Sequence, residues 1–115
     1  VPQIKSALGI RGVNSSVYSW RTEANEEHRG AQVDLLIDRK DDIINLCEMK
    51  YADDDYAFNA EEEEKLRNRK TAFKLDTKTK KAVHTTLVTT YGLRRNSHSD
   101  IVKSVVTMED LFKDE

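Results

Sequence analysis

Two stretches decide the fold: Ala31-Gln32-Val33-Asp34-Leu35-Leu36-Ile37-Asp38-Arg39, and, after Lys40-Asp41-Asp42, Ile43-Ile44-Asn45-Leu46-Cys47-Glu48-Met49-Lys50-Tyr51. In the first, Val33, Leu35 and Ile37 alternate with Gln32, Asp34, Leu36 and Asp38, the period of a strand. The polar triplet between the stretches predicts a hairpin. The second stretch is apolar on both faces through Ile43, Ile44, Leu46, Cys47 and Met49. A strand of that kind lies centrally in a sheet, with something packed on each side.

Working outward, Ser15 to Trp20 alternates Val17 against Tyr18 and Trp20 and predicts a strand. Pro2 to Leu8 reads as a short helix closed by Gly9, and Thr22 to Gly30 as a polar loop. Beyond the hairpin, Ala52 to Asp55 is an acidic loop. Tyr56 to Leu75 is the main helix, with Leu66 and Phe73 on its buried stripe and Phe58 or Asn59 at its start. Ala82 to Tyr91 is rich in Val and Thr and predicts a strand. Gly92 to Asp100 is a loop and Ile101 to Val106 a last strand. Thr107 and Asp110 are spaced to cap a short terminal helix, with Met108, Leu111 and Phe112 as its apolar contacts. The order α-β-β-β-α-β-β-α, with strands flanking the long helix, predicts an α/β (α+β) domain: a mixed sheet with helices against it.

The chain has 115 residues, enough for one domain and one modest core. Hydrophobic residues make up 37% and charged residues 35%, so the core must be economical. No apolar run is long enough to span a membrane, and the start is not a signal peptide. It also lacks an initiator Met, which points to a fragment or a processed chain. Cys47 is the single cysteine. It cannot form an intrachain disulfide, which suits the cytoplasm, and inside its apolar stretch it reads as a small buried hydrophobe. His28, His84 and His98 have no metal-ligand spacing, and the hydroxyl residues have no triad partners nearby.

Charge placement is more informative than the net charge of −2. Glu61 to Glu64 are four consecutive acids. After them come Lys65, Arg67, Arg69, Lys70, Lys74, Lys78, Lys80 and Lys81, against Asp76 alone. Such a block contacts phosphates in some proteins. In others it is a solvated helix face with pairs such as Glu61 to Lys65 at i,i+4. Trp20, Tyr18 and Tyr56 offer rings on which bases can stack, though such rings more often belong to the core or its rim.

The charges inside the strands carry the chemical argument. Strands are depleted in Asp, and Glu and Lys are rarely buried unpaired. Glu48 and Lys50 share one face of the most apolar strand, and the hairpin brings Asp34 toward Glu48. Two carboxylates can hold Mg²⁺ while leaving positions for water and phosphate. The metal lowers the pKa of its bound water, and a nearby Lys orients that water or neutralises developing charge. The Met49 carbonyl is a further candidate ligand. The plainer alternative is that Glu48 and Lys50 neutralise each other or reach solvent at the strand end.

The spacing Asp34, then Glu48-Met49-Lys50, resembles the D-x(n)-E-x-K signature of the PD-(D/E)xK nuclease superfamily. That resemblance implies an α-β-β-β-α-β, restriction-endonuclease-like core. It also implies Asp34, Glu48 and Lys50 as catalytic residues, with Asp34, Glu48 and Met49 around Mg²⁺ or Mn²⁺. Val33 stands where the family carries proline. The first helix offers no upstream acid; Glu23, Glu26 and Glu27 lie later. The auxiliary candidates are Glu23, in the loop or at the strand edge, Gln32 on the Asp34 face, and Arg67 or Lys70 on the long helix.

A longer similarity runs through Arg29 to Arg39, Ile44 to Lys50 and Leu87-Val88-Thr89-Thr90-Tyr91-Gly92-Leu93. These stretches resemble the C-terminal nuclease-like domain of a group of bacterial AAA-type ATPases found in Bacteroidetes. No GxxxxGK[ST] loop is present, so the resemblance implies an ATPase module in a preceding part of a longer protein. The implied function is a metal-dependent DNA endonuclease, or a domain descended from one. The expected partners are DNA, the ATPase and a second copy of the chain, with no membrane. The basic residues Lys65, Arg67, Lys70, Lys74, Lys78, Lys80 and Lys81 are its candidate DNA contacts. The competing readings are a non-catalytic binding module serving the ATPase and a purely structural domain.

Overall fold

A computed structural model describes residues 15–23 and 30–111. The expected helix at Pro2 to Leu8, Glu26, Glu27, His28 and Phe112 lie outside them. In chain order the elements are β1 (Ser15–Thr22), β2 (Ala31–Arg39), β3 (Ile43–Lys50), α1 (Ala60–Thr77), β4 (Ala82–Thr89), β5 (Val102–Thr107) and α2 (Met108–Leu111). The described residues thus form a mixed α/β fold with one five-stranded mixed sheet and two helices. The strands lie side by side in the order β1-β2-β3-β4-β5. β1, β2 and β3 are antiparallel neighbours, whereas β3–β4 and β4–β5 are parallel. β3 is therefore the middle strand, as its two apolar faces require.

Period two sends β3 to both sides of the sheet. Ile44 and Leu46 face α1 and pack with Val33, Leu36, Phe73 and Val83. Cys47 faces the other way and packs with Ile37, Val88 and Val106, with Leu35 and Met49 at the margin. Leu66 of α1 meets Phe58, Leu87, Ile101 and Val102. Each such side chain, fully buried, stabilises the fold by roughly 1.5–3 kcal/mol. A polar row crosses the face away from α1. Arg39 Nη1 donates to Asn45 Oδ1 at 3.2 Å, and Asn45 Nδ2 donates to Thr86 Oγ1 at 3.1 Å. The Thr86 and Ser104 hydroxyls then lie 2.8 Å apart.

β2 does not alternate as expected. Tyr18 pairs with Leu36 but Trp20 pairs with Val33, so β2 spends three residues where β1 spends two. The extra residue is a β-bulge around Asp34 and Leu35. It returns Val33 to the α1 face, beside Leu36, instead of leaving it with Leu35 and Ile37.

The long helix starts at Ala60 rather than Tyr56 because Asn59 caps it. The Asn59 side chain accepts from the Glu62 backbone N–H at 2.8 Å, and Glu62 accepts from the Asn59 N–H at 3.1 Å. Tyr56 is instead tied to the loop after β4, donating its backbone N–H to the Gly92 carbonyl at 2.8 Å. Lys78 closes the helix in the left-handed conformation, φ 53°, donating its N–H to Lys74. Trp20 anchors β1 to the end of α1: its ring packs edge-on to Phe73 at 5.2 Å and its indole N–H donates to Asp76 at 2.8 Å. At the chain's other end, Thr107 and Asp110 form the expected reciprocal cap of α2. Among the described residues, no helix is long and apolar enough to cross a membrane.

Candidate active site

The β2–β3 hairpin sets the first relationship. Leu36 pairs with Leu46 and Leu35 with Cys47. The pairing ends there, one residue short of Asp34 and of Glu48, and Asp34 sits in the bulge of β2. Asp34 is exposed, at the bulge, and its carboxylate accepts from the Gln32 amide at 2.6 Å. Gln32 therefore holds Asp34 through its amide. Glu23 is exposed, just past the end of β1.

Glu48 lies under α1, and its cationic partner comes from that helix. Arg69 Nη1 donates to Glu48 Oε2 at 3.0 Å. Arg69 is only 6% exposed. Burial draws its pKa down, while Glu48, Cys47 and Asp34 push it up. An arginine starts so high that it stays charged throughout. Arg67 and Lys70, the helix residues expected at the site, sit elsewhere. Arg67 is exposed and pairs with Glu63 at 2.7 Å. Lys70 is half-buried, its pKa lowered by burial and then by Lys74, Lys103 and Arg67.

Lys50 is on the Glu48 face of β3, but it pairs with Glu62, at 3.8 Å. Its ammonium also stands 6.0 Å from the centre of the Tyr56 ring. The Tyr56 hydroxyl donates to Glu62. Burial, that hydrogen bond and the charges of Glu62 and Glu48 push the Tyr56 pKa up to about 12. Glu62 thus caps the helix, receives Tyr56 and faces Lys50. It is a third carboxylate near the β3 end, though it falls outside the pattern read from the strands.

Two cavities meet at Glu48. One, of about 380 Å³, is lined by Gly30, Gln32, Glu48, Lys65, Asn68 and Arg69, among others. The second, of about 320 Å³, runs past Glu48 and Lys50 to the start of α1 at Asn59, Glu61 and Glu62. Glu48 and Lys50 therefore stand beside open space at the end of β3, whereas Asp34 lines neither cavity.

The basic segment divides. Lys65 pairs with Glu61 at 3.6 Å on the exposed helix face. Lys81 is committed to the hairpin, donating to Asp38 at 2.6 Å and to the Arg39 carbonyl at 2.7 Å. Lys74, Lys78 and Lys80 are exposed near the C-terminal end of α1, away from the cavities. His98 lies beside Glu63, ring nitrogen to carboxylate 3.0 Å. His84 is half-buried in β4, and burial, then Lys103, Lys70 and Arg39, hold its pKa below 6.5.

The donor chemistry suits a hard cation. Asp34, Glu48 and the Met49 carbonyl offer oxygen only, and Mg²⁺ is commonly held by one or two carboxylates while keeping several waters. Among the described residues, no group of three or more His, Cys, Asp or Glu is placed to hold a metal. The Met49 side chain itself packs on the opposite face. No family model, curated protein or solved structure matches the chain.

Proposed function

We propose that this domain is a metal-dependent phosphodiester hydrolase of the PD-(D/E)xK kind, with a restriction-endonuclease-like core, acting on DNA as part of an ATPase-containing protein. The observation that supports it most is the hairpin register, which ends at Leu35 and Cys47, one residue short of Asp34 on β2 and of Glu48 on β3, with Lys50 two residues beyond Glu48 on β3. The β-β-β-α-β succession agrees with that core. Asp34, Glu48 and the Met49 carbonyl would hold Mg²⁺ or Mn²⁺, which supplies a water of lowered pKa and neutralises charge on the phosphate. Gln32 holds Asp34 through its amide. Arg69 holds Glu48 in an ion pair and keeps its negative charge compensated inside the fold. Lys50 keeps its ammonium at the cavity mouth between Glu62 and Tyr56, where it can neutralise an incoming phosphate.

One observation favours a second reading, a non-catalytic binding module. Glu48 already has a buried cationic partner in Arg69, and a carboxylate so paired binds a further cation less strongly. Plasmid cleavage in Mg²⁺ and in Mn²⁺ decides between them. The hydrolase reading expects metal-dependent nicking that is lost in Asp34→Asn and in Lys50→Ala. Absence of cleavage on supercoiled, linear and single-stranded DNA, with no metal-dependent rise in Tm, would leave the binding module. Cleavage surviving Asp34→Asn would overturn the site.

A further inference from the structure

A third cavity, of about 370 Å³, lies between β1 and the C-terminal end of α1 and shares no lining residue with the two at Glu48. Its floor is apolar, made by the buried side chains of Leu36, Ile44 and Phe73. Tyr18 and Trp20 form its β1 wall. Trp20 is fixed there, edge-on to Phe73 and donating to Asp76. Tyr18 stands on the same face of the strand and is 52% exposed. Two residues of strand separate the two rings at their origin by about 7 Å, twice the contact distance of about 3.5 Å between packed carbon atoms. One planar ring can therefore stack on Tyr18 and still touch Trp20.

The polar groups at the rim select the kind of ring. Asp38 lines the cavity and is partly exposed. Its Oδ1 accepts from Lys81, and no described residue donates to its Oδ2. A carboxylate oxygen beside an aromatic slot suits a ring amino group, as Asp and Glu accept from cytosine N4. Thr79 lines the same cavity, and its chain neighbours Lys78 and Lys80 are exposed, with no ion-pair partner among the described residues. They offer positive charge to phosphates. An aromatic or cationic peptide side chain would use the slot and Asp38 but leave both lysines idle. A base on its sugar-phosphate backbone uses all of them. We propose that this cavity binds one base of a single nucleic-acid strand. The base stacks on Tyr18 beside Trp20, Asp38 accepts from its exocyclic amino group, and Lys78 and Lys80 meet the flanking phosphates. The site rests on the nucleic-acid reading for the origin of the base, and it needs neither metal nor turnover.

Trp20 is the single tryptophan of the chain, so its fluorescence reports on this cavity. The test titrates the full chain, in EDTA to prevent metal-dependent turnover, with short single strands of deoxycytidine and of thymidine. Trp20 emission should change on binding, and the deoxycytidine strand, which carries the amino group, should bind more tightly. Tyr18→Ala, at an exposed position, keeps the fold and should weaken binding about fivefold or more, the loss of one base stack. Asp38→Ala should narrow the preference for deoxycytidine, and Tyr18→Ala carries the test if loss of the Lys81 pair unfolds that variant. Lys78→Ala with Lys80→Ala should flatten the salt dependence by about 0.7 per lysine. Unchanged Trp20 emission, or binding undiminished in Tyr18→Ala, overturns the site. So does an emission change that follows protein concentration instead of DNA, which would put a second copy of the chain on Tyr18. DNA cleavage without a Trp20 response leaves the hydrolase reading standing and removes this one. A Trp20 response that Tyr18→Ala abolishes, in a chain that cleaves no DNA, upholds the base site alone.

Discussion

Arg69 Nη1 lies 3.0 Å from Glu48 Oε2, joining the middle of α1 to the end of β3 by an ion pair whose cation is almost wholly inside the fold. Its two partners differ in exposure. Glu48 is about a quarter exposed, Arg69 far less. Removing the carboxylate therefore strands a buried cation, whereas a change at exposed Asp34 strands nothing of the kind.

Glu48→Ala should accordingly destabilise the domain by about 2–3 kcal/mol, somewhat below the range for a fully buried pair because Glu48 keeps some water. Asp34→Asn should stay within about 0.5 kcal/mol of wild type, as surface changes usually do. Urea unfolding of the two variants checks this. Equal losses would mean that Arg69 does not depend on Glu48.

Glu63 gives a pH-dependent contribution. Its hydrogen bonds with His98 and then Arg67 hold its carboxyl below the ordinary 4.5. A depressed carboxyl pKa contributes stability that is present above the unfolded value and is lost as pH falls through the folded one. The Tm gap between wild type and Glu63→Gln should be full above about pH 4.5 and close below it. Melts from pH 3 to pH 7, on the scale of roughly one pKa unit per step, measure the gap. A gap unchanged in acid would show that the His98 and Arg67 contacts do not stabilise the fold.

Cys47 is 2% exposed, and burial pushes its thiol up to about 11. Only thiolate reacts quickly with disulfide reagents. At pH 8 the native protein should resist a colorimetric disulfide reagent, and the same protein in denaturant should react at once. Rapid native labelling would place Cys47 outside the core.

The two strands that open the hairpin were legible because each rule acted alone. Ala31–Arg39 matches the expectation residue for residue, and Ile43–Lys50 stops one short of it. The bulge was not legible. Alternation counts residues along one strand, whereas a bulge depends on how many residues the neighbour supplies, and Tyr18 and Trp20 reveal it only in register. The helix began four residues late because Asn59 and Glu62 cap it, a pair visible in the sequence but outweighed by the residues before it. Arg69 was passed over because it stands among other cations and reads as solvent-facing. Its spacing held the signal: three residues after Leu66 and four before Phe73, it falls on the buried stripe. Glu62, inside a run of acids, likewise carries no mark that sets it apart. The pairing of Lys50 with Glu62 instead of Glu48 needed the helix start to be placed before it could be foreseen.

The sheet order bears on how the chain emerges from a ribosome. β1, β2 and β3 are consecutive in both chain and sheet, so they can assemble as soon as residue 50 is free. The other edge of β3 has to wait, because Ile43 pairs with Ala82 on the far side of α1. Through that interval the most apolar strand of the protein presents an open edge, the surface most prone to pair with another chain. Synthesis of α1 and β4 sets the length of that exposure.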